Sequence, residues 1–276
     1  MSLWLAALVI ALASAAAIAA QRLVRRRAPA GGFFTDADRA AGVFGVLGTS
    51  FAVLLAFVIF LAFESYDTAK EKAGVEAVAV TELSDTAALF PPRQARALRG
   101  ELVCYARSVI GDEWHTMRDG RRSPLVEGWL AALDRTLRRA PIAGEKQAAA
   151  YGAWLDEMAQ RREGRRGRLA EAAPFVPAPL WLVLILGACL VVGYMCLYAD
   201  PAEPRFVQAA MIGAITALVV SGLLMVRFLD HPYQGHTGSI EPVEMTRTLA
   251  LMESSQRTAD SPPAAPCDAR GRPAPA

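Results

Sequence analysis

The stretch Gly42-Val43-Phe44-Gly45-Val46-Leu47-Gly48-Thr49-Ser50, continued without a charge through Phe51–Phe63, decides the fold of this chain. As a helix it rises about 33 Å, enough to cross a hydrocarbon core of about 30 Å. Three more runs share its character: Leu3–Ala20, Leu180–Ala199 and Ala209–Val226. A backbone in lipid must satisfy its own polar groups, so each run is expected to be a helix. Strands of alternating polarity are missing, which argues against an outer-membrane barrel. Four charge-free runs of this length also argue against buried helices of a soluble core. The expected fold is all-α: a polytopic membrane protein with four transmembrane helices and a helical extramembrane domain between the second and third.

The expected organisation is residues 1–63 for the first two spans and their basic connection, 64–178 for a helical bundle, 179–229 for the last two spans, and 230–276 for a tail. Beyond about Ser254 the tail is rich in Pro and Ala and is expected to be disordered. The first apolar run precedes its arginines, the reverse of a signal peptide, so it is expected to stay as an anchor in a multi-pass protein of the cell inner membrane.

Loop charge gives an orientation. Arg22, Arg25, Arg26, Arg27 and Arg39 lie between spans one and two, and Arg205 between three and four. The positive-inside rule puts both connections in the cytoplasm and the bundle outside. Lys70, Lys72 and the cluster Arg161, Arg162, Arg165, Arg166 and Arg168 on the other side pull against it.

Residues 64–178 hold 18 Lys plus Arg against 17 Asp plus Glu, a balanced surface. Their apolar residues recur at helical spacing: Leu98, Leu102, Tyr105 and Val109; Leu125, Trp129, Leu133 and Leu137; Tyr151, Trp154, Leu155 and Met158. These stripes are read as core. The arginine cluster at 161–168 is a candidate contact for anions or lipid headgroups, or a solvated face.

Chemistry is sparse. No P-loop, nucleophile elbow, HExxH or dinucleotide fingerprint is present, so no catalytic residues, cofactor or metal are expected. Asp112, Glu113 and His115, and separately His231 and His236, lack ligand spacing. Cys104, Cys189, Cys196 and Cys267 form no CxxC pair and are read as unpaired thiols. Nucleic acid is not an expected partner; the chain's formal net charge is only +2.

No ionisable residue sits at the centre of a span, which argues against ion-coupled transport and leaves passive conduction open. Gly42, Gly45, Gly48, Thr49 and Ser50 form a small-residue face on span two; Gly213, Ala217 and Ser221 form another on span four. Such faces allow close helix packing or line a pore. Asp230, His231, Pro232, Tyr233 and Gly235 are expected to form a structured turn.

Several phrases together resemble a bacterial bestrophin-like membrane family catalogued as a domain of unknown function. They are Gly42-Val43-Phe44-Gly45; Tyr66, Ala69 and Glu76; Tyr105; Glu113-Trp114 with Met117; Arg165, Arg168 and Leu169 leading to Pro179-Leu180-Trp181; and Leu229-Asp230-His231-Pro232-Tyr233 with Gly235, then Pro242. Family members often carry Phe where this chain has Tyr233. The resemblance implies four spans, a helical middle domain and, at most, an oligomeric anion channel, with membrane lipids, further copies of the chain and a small anion such as chloride as partners. It also implies a cytosolic helical domain, opposite to the loop-charge orientation. The alternative function is a non-conducting membrane-anchored interaction or sensory protein whose helical domain binds a partner.

Overall fold

The computed structural model describes residues 2–29, 32–199, 203–235, 237–257 and 265–274. It divides into two compact units: Met1–Tyr66, Pro174–His231 and His236–Gly238 form the first; Asp67–Ala173, Pro232–Gly235 and Ser239–Ala276 form the second.

The first unit contains α1 (Leu3–Arg25), the N-terminal part of α2 (Ala37–Thr86), α7 (Ala178–Cys196) and α8 (Arg205–Leu229). Among the described residues, these are the four helices long and apolar enough to cross a membrane. Ser2 caps α1 by accepting from the amide of Leu5. Pro179 stands in the first turn of α7, where its missing amide hydrogen costs nothing. Three apolar clusters join the helices. Ala17 meets Met195, Cys196 and Ile212; Phe51 meets Ala188, Val191 and Val219; Val58 meets Val176, Leu184 and Val226. Phe34, Phe44, Tyr194 and Tyr198 form an aromatic group with ring centroids 5.1–6.0 Å apart.

The second unit holds the rest of α2, then α3 (Pro92–Ser108), a π-helical turn Val109–Glu113, the short α4 (Trp114–Thr116), α5 (Pro124–Arg138), α6 (Glu145–Ala170) and α9 (Val243–Arg257). Ser123 caps α5 through its side chain, with Pro124 at the first helical position. Leu98, Leu102, Tyr105 and Val109 are fully buried, as their spacing predicts.

The stripe predicted on α6 is different. Leu155 is exposed, and the buried seam runs instead through Ala150, Trp154, Arg161, Gly164, Arg165 and Arg168. Periodicity counted arginine as polar and therefore lost the seam after Trp154.

Two readings of the tail change among the described residues; residues 258–264 and 275–276, where the expected disorder also falls, lie outside them. Helix α9 extends past Ser254 to Arg257, and residues 265–274 form a small turn closed by Asp268 N–H to Arg272 O at 2.9 Å and Ala274 N–H to Pro266 O at 3.0 Å. Cys104 and Cys267 are not free thiols: they are joined in a disulfide across 163 residues, leaving Cys189 and Cys196 as the free cysteines. Spacing could not reveal a pair whose members meet only after α3 and the C-terminal turn have packed. Gly271, at φ +76°, backs onto Ser108, where a Cβ would lie 2.6 Å from the amide nitrogen.

Candidate functional site

The face of α2 that begins at Gly42 is covered by nothing else in the described chain. Gly42, Gly45, Thr49 and Ser50 are exposed and Gly48 is half-buried. A Cβ added at any of the three glycines would meet no atom within 4 Å. The same side continues through Val46, Val53, Phe57 and Phe60, all exposed.

Beside it runs a groove of about 820 Å³, lined by Arg39, Gly42, Val46, Ser50 and Leu54 of α2 and by Val183, Gly187 and Leu190 of α7. Elsewhere the outward side chains are mostly large and aliphatic, such as Leu182, Ile185 and Leu186 on α7. The α2 face differs because it combines small residues with two hydroxyls.

Within this chain, therefore, the glycines of span two are not packing glycines. That role falls to Gly187, where a Cβ would lie 2.5 Å from Phe51, and Gly222, where it would lie 2.6 Å from Leu55. Sequence reading singled out neither, since each sits in an ordinary apolar run. On span four, Gly213 packs on Ile18 and its carbonyl accepts from Ser14 Oγ at 3.4 Å. Ala217 is half-buried and Ser221 exposed.

The arginine cluster at 161–168 is also corrected. Only Arg162 and Arg166 are exposed; Arg161, Arg165 and Arg168 are buried inside the second unit. Arg168 donates through Nε to Glu76 Oε2 at 2.6 Å and through Nη2 to Glu113 Oε2 at 2.7 Å. Arg165 donates to Glu113 Oε1 at 2.5 Å and pairs with Glu127 at 2.9 Å. Tyr105 donates its hydroxyl to Glu76 Oε1 at 2.6 Å and accepts from Arg161 Nη1 at 3.3 Å. The Arg161 guanidinium lies over the Tyr105 ring and that of Arg168 over Trp114, at 5.5 and 5.0 Å.

Burial pushes the Glu113 carboxyl up, but hydrogen bonds and charge from Arg165 and Arg168 outweigh it and hold the group below the usual carboxylate range. Burial, reinforced by Glu76, drives the Tyr105 hydroxyl far above its ordinary range. At neutral pH the network thus holds ionised Glu113 beside a neutral phenol. Arg165 and Arg168 remain cationic because Glu113 and Glu76 outweigh desolvation.

Arg161, Arg165 and Arg168 are thus engaged inside the unit, while Arg162 and Arg166 stay on its surface. Seven of the residues that carry the family resemblance, Glu76, Tyr105, Glu113, Trp114, Met117, Arg165 and Arg168, meet here. Asp112 is engaged by the hydroxyl of Ser123. No group of three or more metal-ligating side chains occurs among the described residues, and His236 lies outside them.

The Asp230–Gly235 phrase contains the boundary between the two units. In the first unit, buried Asp230 accepts from the Val176 amide at 2.8 Å. In the second, Pro232 O accepts from the Ile240 amide at 2.8 Å, and Tyr233 donates to Ala69 O at 2.9 Å while its ring meets Trp114 edge-on. Gly235 has φ +70° and leaves room for Arg118.

Solved structures share this arrangement of helices. An isoleucine-to-threonine variant of a bacterial bestrophin homologue from Klebsiella pneumoniae superposes with a TM-score of 0.63 at 17% identity, covering 90% of this chain and 97% of that one. A tryptophan-to-alanine variant of the Klebsiella pneumoniae homologue gives 0.63 at 16%, with coverages of 88% and 96%. The form phased by Zn-SAD gives 0.61 at 18%, with coverages of 90% and 97%. No curated protein matches the chain. The profile of the Bestrophin-like domain matches residues 5–243, nearly all of the four-span architecture and its helical unit, and on that match the chain belongs to the Bestrophin-like family.

Proposed function

We propose that this protein is a homo-oligomeric anion channel in which the uncovered α2 faces of several copies surround the conducting path. The observation that carries this reading is the run of small residues, Gly42, Gly45, Thr49 and Ser50, on a span face that its own chain leaves open. Small residues let helices approach closely in lipid, where large aliphatic side chains would face acyl chains equally well. Farther along the face, Val53, Phe57 and Phe60 supply the kind of apolar ring that can gate a pore by excluding water. Span centres without ionisable groups fit passive conduction. Family membership supports the same reading.

The test is chloride efflux from liposomes holding the purified protein, beside a Gly45→Leu variant, with native mass measured for both. An oligomer that passes chloride, with flux reduced at least tenfold in the variant, is expected. A monomeric protein, folded and inserted but silent, would overturn the reading in favour of a non-conducting anchor whose helical unit binds a partner.

A further inference from the structure

The Cys104–Cys267 disulfide bears on which side of the membrane the helical unit occupies. The two Cα atoms lie 5.8 Å apart and both residues are buried. The C-terminal turn is seated by more than the bond. Trp129 Nε1 donates to Gly271 O at 2.6 Å, Arg107 donates to Asp268 O at 3.2 Å, and Arg107 also pairs with Glu253 at 2.9 Å. Docking therefore brings the two thiols together, and the compartment decides whether they oxidise. Disulfides persist where the surroundings are oxidising and are rare in the cytosol.

Charge gives an independent indication. Arg22, Arg25, Arg26, Arg27, Arg39 and Arg205 all lie in or beside the two short connections between spans. Of the arginines on the other side, Arg165 and Arg168 are paired with Glu113 and Glu76, Arg161 is buried against Tyr105, and Arg162 and Arg166 are exposed; all five belong to a connection of more than about 60 residues, whose charge weighs little in orientation. Lys72 is paired with Glu163 at 2.9 Å.

We propose that residues 67–173 and the C-terminal segment stand on the exoplasmic, oxidising side of the membrane, with the Arg-rich connections in the cytoplasm. The bond forms by thiol–disulfide exchange. Two thiols give two electrons and two protons to a disulfide-bearing oxidant, which leaves as a dithiol, and one S–S bond forms in the protein. This orientation is the reverse of the one the bestrophin resemblance implies, and it holds whether or not the chain conducts.

The test uses the full chain in intact spheroplasts, with Lys146→Cys in the helical unit and Thr35→Cys in the first connection as separate reporters. A membrane-impermeant maleimide should label Lys146→Cys at once and Thr35→Cys only after permeabilisation. Mass spectrometry without reduction should find the Cys104 and Cys267 peptides linked. Labelling of Lys146→Cys only after permeabilisation, or alkylation of Cys104 and Cys267 without reduction, would overturn the proposal.

A separate feature of the first unit carries a second inference. Gln21, Arg22, Arg25 and Arg26 of α1 and its cap face Arg205 and Gln208 of α8 across a polar cleft of about 580 Å³. Arg25 is fixed by Gln208 Oε1 at 2.8 Å and by Glu203 O at 2.6 Å. Among the described residues Arg22, Arg26 and Arg205 form no ion pair with a carboxylate, although they converge on one cavity with the buried Gln21 and Gln208. Guanidinium forks match phosphate oxygens in geometry and charge. We infer that this cleft binds a phosphate group, from a lipid headgroup or free in solution.

Delipidated protein would be titrated with phosphatidylglycerol, phosphatidylcholine or inorganic phosphate and followed by native mass spectrometry, beside an Arg22→Gln/Arg205→Gln double variant and an Arg39→Gln control. Retention of phosphatidylglycerol weakened at least tenfold in the double variant alone would identify a lipid headgroup site. The same dependence for inorganic phosphate would identify a free anion. Equal retention of both lipids with no phosphate bound, or equal behaviour of the variants, would overturn the inference.

Discussion

Arg168 and Glu76, 92 residues apart, are joined at 2.6 Å with neither side chain exposed to solvent. Each would be costly to bury alone, and each makes the other tolerable. Replacing Arg168 by Met leaves Glu76 without its cation and Glu113 with one fewer. The expected loss is about 3–5 kcal/mol. Glu76→Gln combined with Arg168→Met should cost less than the sum of the separate changes, because the second removes a charge the first has orphaned. Urea unfolding of the full chain in detergent, followed by circular dichroism, measures both.

At Gly164, α6 packs directly on the backbone of α2. A Cβ there would fall 2.5 Å from the Glu76 amide nitrogen, and backbone cannot step aside as a side-chain tip can. Gly164→Ala is expected to destabilise by about 1–3 kcal/mol through overpacking. Gly128→Ala, in α5 where the added methyl meets nothing within 4 Å, is expected to stabilise by about 0.4–1 kcal/mol. The pair compared by thermal melting separates contact from helix propensity.

Acid should weaken the second unit through Glu113. Its folded pKa lies below the unfolded value, so its stabilising contribution is complete above about pH 4.3 and is lost as pH falls through the lowered value. Glu101 and Glu157 oppose this: burial raises both, so they take up protons earlier in the folded state and offset part of the loss at mildly acidic pH. The unfolding midpoint is expected to drop below about pH 4, and Glu113→Gln should flatten that drop while lowering the midpoint at neutral pH.

Loss of the disulfide should loosen the C-terminal turn. Cys267→Ser is expected to cost about 2–5 kcal/mol, because the bond closes a very long loop. Reductant should lower the melting temperature of the parent chain and leave the variant unchanged. Limited proteolysis should then cut near residues 265–274 in the variant first.

Sequence alone determined the spans, their number and the helical character of the region between them. Those follow from hydrophobic length and period, which are properties of neighbouring residues. It also marked the small-residue face at Gly42–Ser50, since every member lies on one helix. Tertiary structure decided the rest. Arg161, Arg165 and Arg168 look like a solvated stripe until Glu76, from 85 or more residues earlier, and Glu113, from another helix, are brought against them. A buried charge is visible only through its partner, and partners distant in sequence leave no local period. Cys104 and Cys267 were hidden for the same reason. The packing glycines Gly187 and Gly222 could be told from the open ones at Gly42, Gly45 and Gly48 only when Phe51 and Leu55 occupied the space beside them, because close approach belongs to two helices and not to either sequence.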